Sequence, residues 1–129
     1  MSDPGAKSGR ERRVFPRWTL HAAVDVQSDD QCYAGLSYDV SAGGIFVATP
    51  ETPALGTAVD VTVTLPDGRR LYLDGVVRWV RRAERASAGL PAGIGIEWNE
   101  LPMDALRALL HFAELRDPLL WEMEPELEP

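Results

Sequence analysis

Six short segments of alternating apolar and polar residues, joined by brief turns with no helix between them, predict an all-β chain. A single amphipathic stretch at helical spacing follows the last of them. Together they point to a six-stranded antiparallel β-barrel capped by one C-terminal α-helix. A chain of 129 residues is long enough for one core of this kind.

Each element has its own signal. In "WTLHAAVDVQ" the residues Leu20, Ala22, Val24 and Val26 share one face, with His21, Ala23 and Asp25 on the other, which is a half-buried strand. Ser28 to Asp30 turn the chain into "QCYAGLSYDV", the second strand, which "SAGG" breaks with two adjacent glycines. "IFVAT" is a short third strand ended by Pro50 and Pro53. "AVDVTVTL" places Val59, Val61, Val63 and Leu65 on one face, and "PDG" then signals a hairpin into "RRLYLDGVVRWVRR". Gly75 marks a bulge or bend in that returning strand. "AERASAGLPA" reads as an exposed loop and "GIGIEW" as the sixth strand. In "LPMDALRALLHFAEL", Pro102 suits a first helical turn and Asp104 complements the positive helix end. Leu106, Leu109, Leu110 and Ala113 form its apolar stripe, and Pro118 ends it. The expected organisation is a disordered tail over residues 1–10, a barrel domain over 11–116 with its helix at 102–116, and an acidic tail over 117–129.

Composition excludes several functions. The net charge of −7 argues against nucleic acid, whose binders cluster positive charge. No apolar run approaches the roughly 18–20 residues of a membrane-spanning helix, so no membrane insertion is expected. The start of the chain lacks a secretory pattern, and a cytoplasmic location is expected. The single cysteine, Cys32, has no partner for a disulfide or a zinc site. His21 and His111 have no metal-ligand spacing. Ser41 lies outside any nucleophile-elbow pattern, and no phosphate loop is present. An enzyme is not expected, nor a cofactor or metal. Trp18, Trp79 and Trp98 fall within strand patterns and read as core, and no exposed aromatic row of the kind a glycan binder needs is found.

Two segments carry chemistry. The first is the leader "ERRVFPR", in which Arg12, Arg13 and Arg17 surround a proline that keeps the backbone extended. The second is the corner "DVSAGG", with Asp39, Ser41 and Gly44. Alone, the one reads as a solvated basic tail and the other as a plain turn. Antiparallel pairing of the first two strands, however, brings both to one end of the sheet. There they complement an anionic, purine-bearing ligand. Arginine forks grip phosphate oxygens and can pair with or stack on guanine, a carboxylate accepts from guanine's opposite edge, and glycine admits close backbone approach.

Arg13-x-x-x-Arg17 followed about 20 residues later by Asp39-x-Ser41-x-x-Gly44 resembles the two-part signature of the PilZ domain family, over about Arg10 to Leu115. That resemblance implies a PilZ-like split barrel and a receptor for the bacterial second messenger cyclic di-GMP. Arg12, Arg13 and Arg17 would hold phosphates and guanine, Asp39 and Ser41 would read a guanine edge, and Gly44 would permit the turn. It further implies a signal passed to an effector protein in motility, exopolysaccharide or virulence pathways. Mutual repulsion and low hydrophobicity in the leader predict an arm that orders on binding, and a monomer or weak homodimer is expected. The alternative is a protein-interaction adaptor that binds no nucleotide and uses the barrel edge or the Leu119–Trp121 segment.

Overall fold

The computed structural model describes residues 16–51, 53–87 and 91–115. Among them the chain forms β1 (Trp18–Thr19), β2 (Ala23–Gln27), β3 (Cys32–Val40), β4 (Gly44–Ala48), β5 (Ala58–Thr64), β6 (Arg70–Arg81), β7 (Gly93–Trp98), α1 (Met103–His111) and β8 (Glu114–Leu115). Six strands run antiparallel in the order β2-β5-β6-β7-β4-β3, and β3 pairs back onto β2 to close the barrel. The two short strands extend it: β1 pairs with the C-terminal end of β3, and β8 pairs with β1.

The barrel closes because the period-2 pattern supplies an unbroken inner face. Val24, Val26, Val40, Val47, Val61, Val63, Val77 and Ile94 are each at most 1% exposed and fill it. β-branched residues suit this position, since their restricted side chains pack well on a pleated surface. The β5–β6 hairpin turns at Pro66–Gly68, where the Gly68 N–H donates to the Leu65 carbonyl and Gly68 itself takes φ +94°. A turn followed by a left-handed glycine is a favoured three-residue hairpin loop.

Three departures from the sequence expectation have physical causes. First, the opening strand is split. Ser37, 1% exposed on β3, donates its hydroxyl proton to the Leu20 carbonyl and accepts from the Ala22 N–H at 2.8 Å, while its own N–H donates to the Ala22 carbonyl. The side chain takes over part of the ladder's bonding, so β1 and β2 are separate strands on one partner. Second, Gly75 pairs regularly with Val59 and Trp98, and the irregularity in β6 falls between Val77 and Trp79. Gly75 serves instead a close approach, since a Cβ there would overlap the Glu97 carbonyl oxygen. Third, the helix is Met103–His111, shorter than the expected 102–116. It ends where Phe112 leaves helical geometry at φ −103°, ψ 0°, and the chain at once re-enters the sheet as β8. Its buried face is Ala105, Ala108 and Leu109, with Leu106 and Leu110 only half-buried, so the stripe is rotated from the expected one. That face joins the same apolar cluster as Leu20, Val40 and Trp98.

Replacing Ser37 with alanine strands one buried donor and one buried acceptor. Ser37→Ala is expected to lower the unfolding free energy by about 2–3 kcal/mol in urea titration. A loss below about 0.5 kcal/mol would mean that the Leu20 and Ala22 backbone groups find other partners.

Candidate functional site

The site is built at the edge where β1, β3 and the turn into β4 meet. Trp18 pairs with Val40 and Thr19 with Asp39. Arg17 precedes β1 and Ser41 follows β3, so both flank the end of the pair at Trp18 and Val40. The structure therefore brings Arg17 to the Asp39–Gly44 corner, as antiparallel geometry requires. Arg12 and Arg13 lie outside the described residues, as do the 1–10 leader and the 117–129 tail with Trp121.

The corner is rigidly held. The Ser41 N–H donates to the Gly44 carbonyl at 2.9 Å, and the Gly43 N–H donates to Ser41 Oγ at 3.1 Å. Accepting at Oγ leaves the serine hydroxyl its proton for a second bond. From below, the Trp98 indole N–H donates to the Ser41 carbonyl at 3.2 Å and the Trp98 backbone N–H to the Gly43 carbonyl at 3.0 Å. Gly44 does not have positive φ; positive-φ glycines among the described residues are Gly56 and Gly68. Its role is close approach, because a Cβ there would overlap the Ile96 carbonyl oxygen of β7.

Asp39 faces outward because of an irregularity. β3 pairs Ser37 with Val47 and then Asp39 with Phe46, leaving Tyr38 as the extra residue of a bulge. Strict alternation from the buried Ser37 would turn Asp39 inward and Val40 outward; the bulge reverses both, and Val40 is 1% exposed. β6 repeats the device. With its shift between Val77 and Trp79, Val80 packs on the core and Trp79 pairs across to Gly95 on the outer face.

These two shifts create a surface that period-2 patterning does not reveal. Asp39, Phe46, Gly95 and Trp79 form one row across β3, β4, β7 and β6. Trp79 stacks on Phe46 with ring centroids 5.2 Å apart and planes at 18°. Tyr38 meets the Phe46 edge at 6.2 Å, and His21 lies 6.0 Å beyond Tyr38. The Arg81 guanidinium sits 5.2 Å from both the Phe46 and Trp79 ring centroids and donates to the Pro91 carbonyl. The rings lie flat because β7 presents glycine beneath them: a Cβ on Gly95 would overlap the Trp79 indole, and one on Gly93 would meet Phe46. Trp98 is core and Trp18 packs against it, as expected, but Trp79 is a half-buried outer-face residue. The alternation of "GIGI" opposite "VVRWV" was the available signal, since small residues facing large ones imply that the large ones lie over them.

The row beside Asp39 is a shelf of packed rings in which Phe46 is 5% exposed and Trp79 half-buried. A separate groove of about 330 Å³ is lined by Gln27, Asp29, Asp60 and Asp74 among others. Its carboxylates repel an anion, so it does not compete as a phosphate site. Among the described residues no group of three or more His, Cys, Asp or Glu could hold a metal, and no helix is long and apolar enough to cross a membrane.

A model of the PilZ domain matches residues 11–115. No curated protein matches the chain. Among solved structures, the Bacillus subtilis inhibitor of motility MotI/DgrA aligns at 21% identity and TM-score 0.60, over 85% of this chain and 51% of that one. The PilZ domain of YcgR from Escherichia coli, solved with c-di-GMP, aligns at 14% identity and TM-score 0.58, over 90% and 94%. The K. pneumonia MrkH–c-di-GMP complex aligns at 18% identity and TM-score 0.55, over 89% and 53%. The chain thus spans about half the length of MotI/DgrA and MrkH, and the likeness to all three is one of fold.

A methyl group at Gly95 tests the shelf directly. Gly95→Ala is expected to push the Trp79 indole off Phe46, giving a red-shifted tryptophan emission and a stability loss of about 1–2 kcal/mol. Unchanged emission would show that the indole does not rest on this glycine.

Proposed function

The chain belongs to the PilZ domain family, and from that premise we propose that it is a non-enzymatic receptor for cyclic di-GMP, bound on the outer barrel surface between the arginine leader and the Asp39–Gly44 corner. The observation that carries this reading is the shared edge: Trp18 pairs with Val40, so Arg17 and Ser41 flank the same end of that pair, and Asp39 is turned outward. A cyclic dinucleotide offers two phosphates and two purine faces. Arginine forks suit the first, while the Asp39 carboxylate suits the donor edge of guanine and the Ser41 hydroxyl serves as donor or acceptor. Support comes too from the YcgR domain and MrkH, both solved with c-di-GMP on the same fold.

Arg12 and Arg13 complete the grip in this reading, and ligand orders their segment against the barrel. That ordering has an entropic cost, so useful affinity needs several contacts at once. A Kd of 1 μM corresponds to about 8 kcal/mol, and a charge-assisted hydrogen bond contributes about 1.5–3 kcal/mol. In this reading the output is a new surface offered to an effector protein.

Isothermal titration with cyclic di-GMP tests the assignment. Arg13→Ala, Arg17→Ala and Asp39→Ala are each expected to weaken binding by roughly 10-fold to 100-fold, from the loss of one charge-assisted contact. Arg107→Ala, on the exposed face of α1, should leave it unchanged. Undiminished affinity in both arginine-leader variants would refute the arrangement.

A further inference from the structure

Cyclic di-GMP carries two guanines, and Asp39 with Ser41 serves one of them. These two residues lie on the β3 side of Gly44. On its other side the sheet continues into β7 and β6: Gly44 pairs with Glu97, and Glu97 pairs with Val76. Glu97 is the exposed residue of β7, and its neighbour on β4 is bare glycine backbone. The Arg78 Nε donates to Glu97 Oε1 at 2.6 Å, and the two side chains are 56% and 51% exposed. Arg78 owes this place to the irregularity in β6. Val77 pairs with Ile96 and Trp79 with Gly95, so Arg78 is the extra residue between them.

An exposed ion pair of this kind adds little to stability. What it does is orient a guanidinium. The bond uses one of five N–H groups, and the Nη fork makes no other bond among the described residues. Such a fork matches a phosphate or the O6/N7 edge of guanine. The Glu97 carboxylate decides between them. A phosphate drawn to Arg78 would meet that negative charge at close range, whereas the guanine edge is neutral. β7 lies two strands from β3, roughly 10 Å, so the two ends of this stretch suit two bases of one ligand. The other arginines are placed differently. Arg69 is tied to Asp67, Arg70 pairs across to Thr64 on β5, Arg81 donates to the Pro91 carbonyl, and Arg107 is on α1. Arg82 and Arg85 follow the end of β6, where the pairing with β7 has reached Gly93 and left Glu97 behind.

We propose that Arg78, oriented by Glu97, reads the O6/N7 edge of the second guanine while Asp39 and Ser41 read the first. This rests on the reading of the Arg17–Ser41 edge as a cyclic di-GMP site and adds to it a specificity-determining residue on β6.

Isothermal titration of cyclic di-GMP against 3′,3′-cyclic GMP-AMP, which keeps both phosphates and replaces one guanine with adenine, tests this. Adenine presents an amino donor where guanine has O6, so it cannot pair with an arginine fork. The unmodified protein is expected to bind cyclic di-GMP about 10-fold more tightly than the mixed dinucleotide. Arg78→Ala is expected to lower cyclic di-GMP affinity to that of the mixed ligand and to leave the mixed ligand unchanged. Arg70→Ala, an exposed arginine on the same strand, should change neither. Undiminished cyclic di-GMP binding by Arg78→Ala overturns the proposal. So does equal weakening toward both ligands, which would make Arg78 a charge with no base to read, and so does equal affinity of the unmodified protein for the two. An unmodified protein that binds neither dinucleotide removes the receptor reading itself, and the role of Arg78 with it.

Discussion

One hydroxyl organises the edge where β1 meets β3. Ser37 is 1% exposed, and the only way to keep a polar group there is to satisfy it fully. It does so by bonding both Leu20 and Ala22, the residues at which the first strand breaks. The break frees β1 to follow the far half of β3, past the bulge, where Asp39 and the corner lie. A continuous first strand would carry one register along the whole of β3. The split strand lets the barrel close through β2 while β1 brings Arg17 to the end of β3 that leads into Ser41. Closure and the site therefore share a single side chain.

Beyond that point the outer surface is a matter of phase. A strand offers each residue one of two faces, and one extra residue exchanges them. The barrel uses this twice, at Tyr38 and between Val77 and Trp79, and each time a functional-looking side chain turns outward while a valine turns in. Aromatic rings then lie over Gly93 and Gly95, where the neighbouring strand has no side chain to hold them away.

Where alternation is regular, the sequence was readable. The inner valines of β2 and β5, the Asp67-Gly68 hairpin, and the strand order that joins Arg17 to Asp39–Gly44 follow from period-2 patterning and antiparallel return. The shelf did not follow, because a bulge has no fixed residue signature and Gly75, the visible suspect, proved regular. Nor did the end of the helix. Leu106 and Leu110 fit an apolar stripe as well as Ala105 and Ala108 do, and only packing against the barrel selects the alanine side, where close approach needs small residues. The last turn yields at Phe112 because β8 has a strand to join, a long-range reason that no local propensity records.

Trp98 ties these levels together. Its ring is 7% exposed and belongs to the cluster that seats the helix, while its indole N–H holds the carbonyl of Ser41 at the rim. A phenylalanine in its place would fill most of the volume and let go of the turn. Tolerance at this position is therefore set by two unrelated demands at once, one volumetric and one polar. Drift in the interior of the barrel cannot leave its rim untouched, so the lining and the mouth are bound to change as a pair.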